Sequence, residues 1–119
     1  MRSIWTYPAE TGHDSAMTLT GYSVETPHEA LGQVQRQMDD PGRQHLVVDT
    51  GVWFFGESVL VPAGIVRTID TDTKTVTVNR TKDEIKAAPR FARDSQTTDA
   101  GYLTEVGHYY MSLGEPVLL

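Results

Sequence analysis

Residues 45–89, HLVVDTGVWFFGESVLVPAGIVRTIDTDTKTVTVNRTKDEIKAAP, decide the fold. His45 to Asp49 is a compact apolar run with β-branched Val47 and Val48, too short for a helix and suited to a strand. Gly51 allows a turn, and Trp53, Phe54 and Phe55 follow on a second extended segment, Trp53 and Phe55 on one face and Phe54 on the other. Val59-Leu60-Val61 continues the apolar pattern until Pro62 closes it. Ile65, Val66 and Ile69 make a further strand or a bent continuation. Asp70-Thr71-Asp72-Thr73-Lys74 then reverses the chain into Thr75-Val76-Thr77-Val78-Asn79, which alternates with its valines inward. Thr81-Lys82-Asp83-Glu84 has the spacing of a capping box, and Pro89 stops the short helix it starts, with Ile85 as the apolar anchor.

Upstream, residues 1–18 mix Pro8, Gly12 and polar residues with Trp5 and Tyr7 and show neither strand nor helix period; they are expected to form an arm that packs on the rest. Leu19, Tyr22 and Val24 predict a short strand, Thr26 to Glu29 a turn, and Leu31 to Val34 its hairpin partner. Asp39-Asp40-Pro41-Gly42 ends any strand that reaches Met38. Downstream, residues 90–98 are a polar linker. Asp99 can cap a helix in which Tyr102, Leu103, Val106, Tyr109, Tyr110 and Leu113 share a stripe, ended by Gly114 and Pro116. Gly101 and Gly107 each weaken that helix by about 1 kcal/mol relative to Ala, so it needs a surface to dock on.

The 119-residue chain suits one domain with extensions. Its formal charge of -6 argues against nucleic acid and anionic membrane surfaces as partners. The absence of cysteine excludes disulfides, thiolate nucleophiles and Cys-based zinc sites, and fits a reducing compartment. The first residues lack the apolar core of a signal peptide, and no apolar run is long enough to span a bilayer, so a cytoplasmic location is expected.

Five to six short, closely spaced strands predict a mainly β fold: a small barrel with a short capped helix and a C-terminal amphipathic helix. Residues 19–91 resemble a PRC-barrel domain, as found in the H subunit of photosynthetic reaction centres and at the C-terminus of a ribosome-maturation factor. The resemblance rests on Leu19-Thr20-Gly21-Tyr22, Leu31-Gly32-Gln33-Val34, His45 to Asp49, Val59 to Pro62 with Val66, and above all Thr75 to Pro89, where a strand runs into a threonine-capped helix closed by Ala-Pro. The chain looks more like stand-alone bacterial members than like the two named examples. The resemblance implies a module that binds proteins and often pairs with itself, with no catalytic residues and no cofactor. The expected organisation is an arm over 1–18, the barrel domain over 19–91, and a linker with the C-terminal helix over 92–119.

Candidate chemistry is sparse. His13, His28, His45 and His108 fall in four segments, with no spacing that places two metal ligands on one element; no metal site is expected, and His45 alone is expected to be partly buried. Asp70 to Lys74 lacks the glycine and terminal glutamate of a calcium loop and fits a hairpin turn. Asn79-Arg80-Thr81 is only a formal glycosylation sequon. Asp49 suits a strand-end acceptor for turn amides.

The aromatics are the exception, because Trp53, Phe54 and Phe55 cannot all face one small core. Either the flanks cover them, through Trp5 and Tyr7 or through Tyr102, Tyr109 and Tyr110, or they meet a partner; a homodimer whose flanks cover the partner's barrel satisfies both. These eight residues form the candidate interaction surface. A self-associating scaffold with an unidentified protein partner is the leading expectation. A small-ligand site or minor enzyme near Trp53 and Asp49 is the alternative, and ribosome association ranks third.

Overall fold

The computed structural model describes residues 4–14, 16–51, 58–89 and 99–114. Six strands make one mixed sheet: β1 (Ser23–Glu25), β2 (Ala30–Met38), β3 (His45–Asp49), β4 (Ser58–Pro62), β5 (Val66–Asp70) and β6 (Thr75–Val78), in the order β4-β3-β2-β1-β6-β5. Two helices follow, α1 (Lys82–Lys86) and α2 (Ala100–Ser112). All pairings are antiparallel except β1 with β6, which is parallel.

Local chemistry explains most boundaries. The Thr26 hydroxyl donates to the Glu29 carbonyl (2.9 Å) and accepts from the Glu29 amide (3.1 Å), holding the β1–β2 turn. The Asp70 carboxylate accepts from the amides of Asp72 (2.9 Å) and Thr73 (3.2 Å), so Asp70 to Lys74 is a hairpin turn. The capping box is complete: the Thr81 hydroxyl accepts from the Glu84 amide and the Glu84 carboxylate from the Thr81 amide. Asp99 caps α2 by accepting from the Tyr102 amide at 2.9 Å.

The sheet cannot be flat. Its two edge strands, β4 and β5, are joined by the three-residue 3₁₀ turn Ala63–Ile65. Six flat strands would hold the edges roughly 24 Å apart, whereas four Cα steps from Pro62 to Val66 reach at most about 14 Å. The sheet therefore curls, and register shifts in β1, β2 and β5 add the local bend that bulges supply. The pairings also give β4 and β5 the same sense. Side-by-side parallel neighbours need a crossover of about a dozen residues, so β5 leads away from the end of β4 instead of pairing along it.

The curl wraps a single core that includes Leu46, Val48, Leu60, Val61, Val76 and Val78, with Ile85 of α1 and Leu103, Val106 and Tyr110 of α2 added to it. Gly32 sits where β2 meets β3; a Cβ there would lie 2.1 Å from the Asp49 carbonyl oxygen.

Three expectations change. The strand expected from Leu19 shortens to Ser23–Glu25, because Gly21 takes φ +90° and the Tyr22 amide bonds back to Leu19 O, making residues 19–22 a turn. The hairpin partner expected over Leu31–Val34 extends to Met38, and the Gln37 amide group holds Met17 O and the Leu19 amide. The expected barrel is, among the described residues, a curled open sheet with no ladder between β4 and β5.

Thr81→Ala should lower unfolding free energy by about 1 kcal/mol. Gly32→Ala should cost more, since β2 and β3 must separate to admit the methyl group. Urea denaturation of both variants checks the ranking.

Candidate functional site

The eight aromatics expected at an interaction surface separate into two groups. Trp53, Phe54 and Phe55 lie outside the described residues. The other five have partners within the same chain. Trp5 is half-buried and meets His45 edge-on, with ring centroids 5.9 Å apart. Tyr7 is buried and stacks on His13 at 3.8 Å. Tyr102 is buried and donates its hydroxyl to Pro89 O at 2.9 Å; burial, with Glu105 adding, pushes its pKa up to about 12. Tyr109 donates to Glu84 O, and Tyr110, 1% exposed, packs edge-on against it in the core. Burial raises the pKa of Tyr7 and of Tyr110, whose hydroxyls have no hydrogen-bond partner among the described residues.

Two structural joints hold these side chains. At the first, the Gln44 amide donates to Trp5 O (3.0 Å) and the Gly64 amide to Ile4 O (2.7 Å), strapping the N-terminal segment across the ends of β3 and β4. The strap reaches α2 as well: a Cβ on Gly107 would lie 3.2 Å from Trp5 Nε1, and one on Gly64 would lie 2.6 Å from Ile4 Cα. Further on, a 3₁₀ turn (Ala9–Thr11) packs beside β5 and buries Thr11. At the second joint, the 6%-exposed Arg80 directs one guanidinium nitrogen to Glu84 of α1 (3.4 Å) and another to the carbonyl of Gly114, just beyond α2. Its Nε has no hydrogen-bond partner among the described residues. Arg80, Glu84 and Tyr109 thus fasten the end of α2 to α1.

The histidines are placed less simply than expected. His45 is fully buried, and its Nδ1 donates to Arg43 O at 2.8 Å. His13 is also enclosed, 3.9 Å from Asp39 through Nε2, because Tyr7 covers its face. Nothing in the local pattern of residues 7–13 signals that stack. His28 and His108 are exposed. Among the described residues, no three acidic or histidine side chains converge as metal ligands. Asp49 accepts from the Gly51 amide at 2.8 Å, the strand-end role expected of it.

Surface concavities are shallow. One of about 330 Å³ lies between β1, β2 and the end of β3, lined by Leu31, Gly32, Asp49 and Thr50 among others. Another of about 360 Å³, on the threonine-rich face of β5 and β6, is lined by Glu25, Thr68, Asp70 and Thr77 among others. Hydroxyls and carboxylates line both, with Ser23, Glu25 and Asp49 in the first and Thr73, Thr75, Glu25 and Asp70 in the second. No helix among the described residues is long and apolar enough to cross a membrane. No family model matches the chain, and no curated protein matches it either.

Arg80→Ala should lower stability by about 2 kcal/mol, the scale of a hydrogen bond to a charged group. Arg80→Met, which keeps an apolar stem in place, should lose less. Urea denaturation gives both values.

Proposed function

We propose that the chain is a PRC-barrel-type interaction module that pairs with itself through Trp53, Phe54 and Phe55, and that it works by binding, not catalysis. The observation that carries the barrel reading is the path of residues 58–70. Its first part, β4, pairs with β3; its second, β5, pairs with β6; the three-residue turn between them is tied to both sides, by the Ala63 amide to Gln44 O and by the Asn79 amide to Ile65 O. Taken as one bent stave, β4 and β5 link β3 to β6, and the ladders then run in a ring through β1 and β2. The capped α1 follows β6 directly, in the order the resemblance implies.

Self-pairing draws its support from the aromatics. Trp5, Tyr7, Tyr102, Tyr109 and Tyr110 have partners in their own chain, and the second copy is assigned to the rest of the expected surface, Trp53, Phe54 and Phe55, which lie outside the described residues. The support is the sequence expectation alone: neighbours in an extended run face opposite ways, so three consecutive aromatics cannot all enter one small core. Aromatic side chains are enriched where proteins meet. The lack of cysteine suits a cytoplasmic setting for such a module.

Sedimentation at micromolar concentration should give twice the 13.2 kDa chain mass. The double variant Trp53→Ala, Phe55→Ala should sediment as a monomer with unchanged circular dichroism. Point substitutions are required because deleting either flank removes core side chains such as Tyr7 or Tyr110. A monomeric parent chain, or a dimer indifferent to both substitutions, contradicts the proposal.

A further inference from the structure

We propose that Ile4 and Trp5 form a strap that protonation of His45 releases, so that acidification uncovers α2 around Gly107 while the sheet stays folded.

The geometry is that of a clasp. Two backbone hydrogen bonds hold the strap, from Gln44 and Gly64, and both donors flank the site of His45: Gln44 precedes it in the chain, and Gly64 follows its β4 partner, Pro62, by two residues. The Trp5 ring edge rests on the imidazole itself. A Cβ on Gly64 would clash with the Ile4 backbone and one on Gly107 would crowd the Trp5 ring, so the strap is seated closely on both.

The imidazole is poised to disfavour charge. A carbonyl can only accept, so the bond to Arg43 O places the proton of the neutral ring on Nδ1, and a second proton must go to Nε2. That added charge would be buried. The charged groups acting on the ring are Arg36 of β2 with Arg43 and Asp40 of the β2–β3 turn. Pro62 across the ladder and Trp5 of the strap bring no charge. Burial is the largest influence and lowers the pKa of His45; the two arginines add to it, and the bond to Arg43 O and the Asp40 charge oppose it.

The sign follows. Once the strap lifts and the ring is in water, His45 titrates near its ordinary value of about 6.5. Below that pH the released form binds a proton that the closed form resists. Release then grows by up to about tenfold per pH unit until the closed form also titrates, and it is independent of pH well above about 6.5. Release gives up the two backbone bonds and the packing of the half-buried Ile4 and Trp5 side chains, whereas the β2–β3 and β3–β4 ladders remain.

Amide hydrogen exchange of the full chain by NMR, expressed as protection factors from about pH 7.5 down to about pH 5, tests this. The Gln44 and Gly64 amides should lose protection as pH falls, by up to about tenfold per unit. The Val34 amide, which donates to Tyr22 O, should keep its protection. His45→Gln should abolish the pH dependence of the first two; the parent chain decides the matter if that variant does not fold. Constant protection at Gln44 and Gly64, parallel loss at all three amides, or an unchanged pH dependence in His45→Gln would overturn the proposal.

Discussion

Ala63, Gly64 and Ile65 connect the two edges of a six-stranded sheet whose edge strands run in the same sense. Few connections constrain a fold so tightly: the link is too short for a flat sheet and too short for a parallel crossover, so the strands must curl until β5 starts where β4 stops. The enclosed core follows from that bend. β3 is buried on both faces because the curl covers one and the chain's other segments cover much of the rest. The parallel β1–β6 pair is a second consequence, since β6 can come alongside β1 only once β5 has been carried round.

The flanks complete what the sheet begins. Below about 150 residues a single sheet has little surplus core, and here α2 contributes Tyr102, Leu103, Val106 and Tyr110 to it while the N-terminal segment contributes Tyr7. Among the described residues, backbone bonds from Gln44 and Gly64 secure the strap, and Arg80, Glu84 and Tyr109 secure the end of α2. The sheet is held by continuous ladders.

Features written in local chemistry were legible in the sequence. The alternation of Thr75 to Val78, the Thr81 capping box, the Asp99 cap, the Asp70 hairpin turn and the helical stripe from Tyr102 to Leu113 each depend on residues within a few positions of one another, and each stands where the pattern placed it. Features that depend on distant partners were not. Gly32 is required by the Asp49 carbonyl, Gln37 reaches Met17 and Leu19, and His13 is enclosed only because Tyr7 lies over it. The extension of β2 through Gln35 and Arg36 was hidden because its polar residues need only a neighbouring strand, not an apolar pattern, to remain extended. Of the candidate surface, Trp53, Phe54 and Phe55 lie outside the described residues, and Tyr7, Tyr102 and Tyr110, expected to lie over them or over a partner, are buried in the chain's own core.

The curl requires β4 and β5 to act as one bent stave that brings the far sides of the sheet toward each other. Nuclear Overhauser contacts between side-chain methyl groups test this directly, because in a flat sheet of this order β3 and β6 would be roughly 14 Å apart. Contacts should join Leu46, Val48, Leu60 or Val61 to Val76 or Val78 across the enclosed core. Methyl contacts confined to adjacent strands, with none between β3–β4 and β6, would contradict it.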